Sequence, residues 1–379
     1  MKKVLFVIGS LRVGGAEHQM TLLAKETAKL NVDVKIFVLT SYGSLKNHLE
    51  TLKIPIIDGG YEMKASKLRK VFLLLKSQLK LIWVCLTWKP HIVHAFLPYT
   101  NFMASLAARI TFRSFIITSW RSLTSHYRED NFHLRVLDYL AMRLSSLIVC
   151  NSQAVLNDIC KQDKGISLSK AQVIYNGVDL SLDQLDEDSR CAGRESLGLK
   201  QEDIGLVCVA NLAFHKGQED LVEAFGLLKK KHGNLKLFLV GEDRGIQHNL
   251  TQRAHELQID KDVFFLGLRK DVSTLLKYMD IGIMASHGEG FSNALLEKLA
   301  AGLPIVATNV GGNPEALQDM PGCVMVDRKD PIKMSQALDF TIHNLKESKS
   351  KSMERIQKTK DRFSINTMVS HYTDLYKKV

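Results

Sequence analysis

The chain has 379 residues, 45% hydrophobic and 24% charged, which suits a soluble protein with two buried cores rather than one. Its six cysteines (Cys85, Cys150, Cys160, Cys191, Cys208, Cys323) show no C-x-x-C and no metal-ligand spacing, so a reducing cytoplasm is the expected compartment. The net charge of +11 is uneven: residues 1–173 hold 24 Lys and Arg against 11 Asp and Glu, the remainder 27 against 29. An excess confined to one half points to an anionic partner on one domain, and without a zinc finger, an RNA-recognition signature or another nucleic-acid module, nucleic acid is not expected.

From the N-terminus, Met1-Lys2-Lys3 followed by Val4–Ile8 mimics a signal peptide, but the apolar run is too short and Arg12 follows closely. It reads instead as the first buried strand of a parallel sheet. Gly14 and Gly15 follow, where a missing Cβ lets backbone amides approach a phosphate or sugar. The spacing Gly9-Ser10-Leu11-Arg12-Val13-Gly14-Gly15 is not G-x-G-x-x-G, and Leu39-Thr40-Ser41 supplies no acidic residue after the second strand, so a nicotinamide enzyme is not expected.

Residues 62–89 concentrate Lys64, Lys67, Arg69, Lys70, Lys76, Lys80 and Lys89 among apolar residues that include Trp83 and Trp88. Lys76 and Lys80 break the run, leaving it short of the ~20 apolar residues that a spanning helix needs. Two readings stay open: a helix lying in an anionic membrane interface, or an ordinary helix with a solvated basic face.

Strands are predicted at Val4–Ile8, Val34–Leu39, Ile92–Ala95, Phe115–Thr118 and Leu147–Cys150, separated by helical stretches. A second series runs Leu206–Ala210, Leu235–Val240, Val263–Leu266, Ile281–Met284 and Pro304–Ala307. A hinge is placed near Val173–Gly177, giving an N-terminal domain 1–173 and a second domain 174–363. Ser364 is placed to cap a last helix ending at Tyr376. In the connector, Asp186-Glu187-Asp188 has D-x-D spacing but no strand before it, which disfavours a metal role.

The richest segment is His287–Gly312. Gly288, Gly290 and the pair Ser292/Asn293 form a turn and helix cap, Ala294–Ala301 propagates the helix, Gly302 closes it and Pro304 forbids its continuation. Glu289 then lies just before the helix and Glu297 on its second turn. Amides at a helix start suit a phosphate, and ionised carboxylates suit vicinal hydroxyls, so together they suit a sugar nucleotide. A buried helix with one solvated and one capping glutamate is the plainer alternative.

This segment resembles the E-x7-E signature of retaining glycosyltransferase family 4. Further pieces fall in the order that family requires: Gly14-Gly15-Ala16-Glu17, Tyr175-Asn176-Gly177-Val178-Asp179, Val209-Ala210-Asn211-Leu212 with His215-Lys216-Gly217, Leu239-Val240-Gly241, Phe265-Leu266-Gly267 with Asp271, and Gly311-Gly312. The resemblance implies an α/β GT-B fold: two Rossmann-like doubly wound domains facing a cleft, with a C-terminal helix crossing back. It implies transfer of a sugar, with retention, from a nucleotide donor (a UDP-sugar above all) to a glycan or polyprenyl-diphosphate-linked acceptor, as in polysaccharide or lipopolysaccharide assembly. Neither metal nor cofactor is implied.

By the same resemblance Glu297 would hold the ribose, Glu289 would orient the donor sugar, and Lys216 with the amides of Phe291–Ala294 would stabilise the diphosphate. Gly14, Gly15, Asn211, Gly290, Phe291, Ser292, Asn293 and Ala294 complete the donor set. Many members carry an arginine where this chain has Asn211-Leu212-Ala213-Phe214-His215, and His215 or Arg244 are the available replacements. The histidine that often touches the donor sugar is replaced by Ser119-Trp120-Arg121, which leaves Arg121 and His94 as acceptor-side candidates. A peripheral position on the inner face of the cell membrane follows from the basic domain. Two rivals remain: a sugar-nucleotide 2-epimerase of the same architecture, and a catalytically dead membrane-binding module.

Overall fold

The computed structural model describes residues 1–12, 14–112, 114–123, 132–162, 167–180 and 186–378. The chain divides into two compact units, Met1–Gly177 with Ile365–Val379, and Val178–Ser364. Each is built on one parallel sheet.

The first sheet contains β1 (Lys3–Ile8), β2 (Asp33–Val38), β3 (Ile56–Asp58), β4 (Ile92–Phe96), β5 (Phe115–Trp120), β6 (Leu147–Cys150) and β7 (Ala171–Val173) in the order β3-β2-β1-β4-β5-β6-β7. The second contains β8 (Ile204–Val209), β9 (Leu235–Val240), β10 (Val263–Gly267), β11 (Ile281–Met284), β12 (Ile305–Thr308) and β13 (Val324–Val326) in the order β10-β9-β8-β11-β12-β13. In both, the chain winds outward from the first strand, then returns to its other side. That reversal, between β1 and β4 and between β8 and β11, opens a crevice at the strands' carboxyl ends where ligands bind in such sheets.

Alternation along the strands explains why both faces are covered. Val4, Phe6 and Ile8 pack with Met20 and Leu23 on one face, while Leu5 and Val7 pack with Leu81, Val84 and Cys85 on the other. The terminal helix Ile365–Lys377 adds Met368, Tyr372, Leu375 and Tyr376 to the first of these cores. The chain's two crossings are tied locally. Gln19 holds both the amide and the carbonyl of Gly177 through its own side chain, at 2.9 and 2.8 Å, and Val178 forms a parallel bridge with Ser364.

The ten predicted strands are all present. β3, β7 and β13 were not anticipated; each has three residues and lies at a sheet edge, too short to show a hydrophobic period. The D-x-D segment caps a helix: Asp186 accepts from the Ser189 amide at 2.7 Å at the start of Glu187–Ser196. In the lysine-rich stretch after Leu345, Arg355 is fully buried and donates to the carbonyls of Gly302 and Pro321.

One buried carboxylate anchors the second unit. Asp280 accepts from Arg190, Arg194, Lys349 and the Gly205 amide at 2.7–3.0 Å. Burial pushes its carboxyl up, but Lys349, Arg194 and the amide outweigh burial and hold it below the usual 3.8. A depressed folded value stabilises above the unfolded one, and that stability is lost as pH falls through the folded value. Asp280→Asn should therefore cost about 2 kcal/mol in urea unfolding at neutral pH. The gap should close in acid; an equal loss at all pH values would show that packing, not charge, is responsible.

Candidate donor site in the second unit

The loops after β8 and β11, the two strands at the reversal, carry Lys216 and Glu289. Lys216 ends a single turn, Phe214–Lys216, and Gly217 follows with φ +66°. A Cβ on Gly217 would overlap the Ala285 carbonyl oxygen, so only glycine lets these loops approach so closely. The His287 amide, donating to the His215 carbonyl at 2.9 Å, fixes their register.

Within this frame Lys216 Nζ lies 2.6 Å from Glu289 Oε1, to which Ser286 Oγ also donates at 2.7 Å. The side chains are 22% and 12% exposed, so this pair is shielded yet reachable. Gly311, at φ +52°, packs directly on the Glu289 carbonyl, where any Cβ would overlap the oxygen. Gly312 donates to the Gly290 carbonyl at 2.9 Å, binding the loop after β12 to the same turn.

The helix spans Asn293–Ala300, with Ser292 as its cap accepting from the Leu295 amide. Its first-turn amides lack intrahelical acceptors by construction, and its dipole favours an anion there. Phe291 reaches the site only through its backbone, since its ring is buried against Phe363. Asn211 stitches loops: its side chain accepts from the Glu242 amide and its carbonyl from Gln218.

Glu297 projects from the second turn, and its carboxylate has neither a hydrogen-bond nor an ion-pair partner among the described residues. Burial raises its carboxyl above the ordinary 4.5, partly opposed by the neighbouring Lys298. An ionised carboxylate there lacks donors that two hydroxyls would supply.

Three participants were missed from sequence. Ser286 holds Glu289, and its own carbonyl is held by Thr308 at 2.6 Å. His287 pairs with Asp220 at 2.6 Å, bracing the loop. Lys298 is fully buried, its ammonium donating to the Ala294 carbonyl at 3.2 Å, and burial lowers its pKa. A lysine within the apolar run after Ala294 was a visible signal that hydrophobic patterning passed over. Arg244, by contrast, is engaged with Glu242.

In the first unit, Gly14 caps the helix Gly15–Ala28 and the Glu17 carboxylate folds over it. Burial raises Glu17, against its own amide and Arg12. His94 is not at a surface: it is fully buried in β4, with Nδ1 on Tyr376 at 2.7 Å and Nε2 on Ser119 at 2.8 Å. Both of its ring nitrogens are thus engaged within the core of the first unit. Arg121 donates to Asn176 Oδ1 at 2.6 Å and Tyr372 OH at 3.3 Å, lies over Phe96, and leaves Nε without a partner. It has no carboxylate partner among the described residues.

Metal-ligand chemistry gathers at His232, Asp339 and His343. His232 and Lys231 already engage the two Asp339 oxygens at 2.7 and 2.8 Å, so a cation would have to displace an ammonium.

Residues 13–182 match the family described as Glycosyltransferase Family 4, and residues 190–360 that described as Glycosyl transferases group 1. The chain belongs to glycosyltransferase family 4, with the GT-B fold. EpsD of Bacillus subtilis, which carries the name of a glycosyltransferase, is 30% identical over 183 residues, 48% of each chain. A 4-alpha-N-acetylgalactosaminyltransferase of Campylobacter jejuni, named for a diphospho-undecaprenol-linked disaccharide, is 28% identical over 248 residues, 64% of each chain. The matched region thus spans about half to two thirds of these curated relatives. Anabaena HepE in complex with UDP-glucose superposes over 100% of both chains with a TM-score of 0.87 at 21% identity, a likeness of fold.

Proposed function

We propose that this family member is a retaining, metal-independent transferase that moves a sugar from a UDP-sugar to a glycan or polyprenyl-diphosphate-linked acceptor. The observation that carries it is the donor geometry: a shielded Lys216–Glu289 pair beside a helix start, with the unpartnered Glu297 carboxylate one turn on. Glu297 accepts from the two ribose hydroxyls. Lys216 exchanges Glu289 for the diphosphate, and Glu289 turns to the sugar. The bond from the sugar's anomeric carbon to the β-phosphate oxygen breaks, its electron pair leaving with the diphosphate, while Lys216 and the first-turn amides take up the charge. The acceptor oxygen bonds to the same face, and its proton passes to the departing phosphate. UDP is favoured by the nucleotide of HepE, and the lipid-linked acceptor by the Campylobacter relative's name. Arg121, a cation without a carboxylate, gives the first unit a group suited to an acceptor's phosphate.

Calorimetry of UDP, GDP, ADP and CMP with EDTA present tests the donor site. UDP should bind best, and Glu297→Ala should weaken it. Binding that requires a metal, or that ignores the substitution, would refute the proposal.

A further inference from the structure

The helix Lys67–Trp88 is apolar on two opposite sides. One stripe, Leu73, Ser77, Leu81, Val84 and Cys85, is buried; its Leu81, Val84 and Cys85 pack with Leu5, Val7, Phe37 and Val93. The other, Leu68, Phe72, Leu75, Leu79, Trp83 and Leu86, recurs every three or four residues and is 50–87% exposed. Six large apolar side chains in one exposed row form a patch that a monomer in water rarely shows.

Charge identifies the occupant. From Met63 to Lys89 there is no Asp or Glu, while Lys64, Lys67, Arg69, Lys70, Lys76, Lys80 and Lys89 are all present. At 100° per residue, Lys76 flanks the exposed stripe on one side and Lys67 on the other, with Arg69, paired to Glu62 at 2.9 Å, beyond Lys76. An apolar row edged with cations matches an anionic bilayer surface, with acyl chains under the row and headgroups at its margins.

The helix has the length and hydropathy to span a membrane, but its other contacts fix it to the domain. Lys80 Nζ donates to the Asp58 carbonyl at 2.7 Å and Trp88 Nε1 to Asp33 at 3.2 Å, besides the buried stripe. Spanning would tear these from the sheet.

We propose that the exposed face of Lys67–Trp88 seats the first unit on an anionic lipid surface. The inference goes beyond the transferase reading, since it holds whatever sugar or acceptor is used.

Cosedimentation of the full chain with phosphatidylcholine vesicles, with and without phosphatidylglycerol, tests it. Pelleting should require phosphatidylglycerol and fall in high salt. The triple substitution Leu75→Ser, Leu79→Ser, Trp83→Ser should abolish it. The pair Lys67→Glu, Lys76→Glu should weaken it about 10–100-fold, at ~1 kcal/mol for each basic residue near the surface. Trp83 is exposed, whereas Trp120 is buried and Trp88 is tied to Asp33, so vesicles should blue-shift Trp83 emission. Trp83→Phe should keep binding while losing that shift. No pelleting, pelleting unaffected by the triple substitution, or pelleting without the shift would overturn the proposal. So would sedimentation velocity showing a dimer that the triple substitution dissociates, with no vesicle binding. UDP calorimetry on the same proteins separates the two proposals: nucleotide binding without vesicle binding defeats this one alone, and the converse defeats the donor-site proposal alone.

Discussion

Lys216→Ala is expected to lower sugar-transfer turnover about 10²–10³-fold, the loss seen when one preorganised donor to developing negative charge is removed. The reason lies in timing. The ammonium pairs with Glu289 at 2.6 Å, and a diphosphate would compete with that carboxylate for it. As the leaving group takes on charge, its attraction for the ammonium grows while that of Glu289 does not, which places the benefit in the transition state. Removing the ammonium also takes a charged donor from the Glu289 carboxylate, 12% exposed, to which Ser286 still donates. The variant should therefore lose stability, and adding Glu289→Gln should recover it, with a coupling of about 0.5–3 kcal/mol in a double-mutant cycle. Turnover would not be recovered. A Lys216→Ala enzyme with ordinary turnover on donor and acceptor would remove this lysine from the chemistry.

Glu297→Gln is expected to move binding and stability in opposite directions. Hydrogen bonds to a charged group are worth about 1.5–3 kcal/mol, so weakening two ribose contacts should cost UDP affinity about 10²-fold. The free protein should become more stable. Burial raises the Glu297 carboxyl above 4.5, so the folded state holds its proton more tightly than the unfolded one does. Stability then falls as pH rises from the unfolded value through the raised one, and at neutral pH the protein carries a half-buried ionised carboxylate to which none of the described residues donates. Glutamine removes that penalty. Thermal scans without nucleotide should show the variant above the parent at neutral pH and close to it in acid, while calorimetry shows the reverse ranking for UDP. A variant that is both weaker binding and less stable would mean that Glu297 is a structural residue.

What was legible in sequence follows physical range. The donor helix was readable because Ser292, Gly302 and Pro304 mark its ends within a dozen residues. The long strands were readable as apolar runs bounded by turns, whereas β3, β7 and β13 have too few residues to show a pattern. The salt bridge from Lys216 to Glu289 joins loops 73 positions apart, and only the order of motifs, not their spacing, hinted at it. The burial of His94 was not legible, because a histidine on a strand looks alike in sequence whether it faces solvent or, as here, Tyr376 and Ser119. Lys298 was passed over because lysine in a helix is ordinarily solvated; its burial depends on Gly282, whose missing Cβ leaves room for the lysine stem.

The terminal helix Ile365–Lys377 has a consequence for biosynthesis. It supplies Met368, Tyr372, Leu375 and Tyr376 to a core whose strand β1 is made more than 350 residues earlier. The intervening unit, Val178–Ser364, must be made in between, which takes roughly 10–40 s at about 5–20 residues per second. During that interval the nascent first unit has an uncovered apolar face, and Tyr376 has not yet reached His94. The first unit therefore cannot close in order of synthesis, and the second has the opportunity to fold before it. A chain ending at Ser364 and released from the ribosome should have a protease-resistant later half and an earlier half that is a substrate for chaperones.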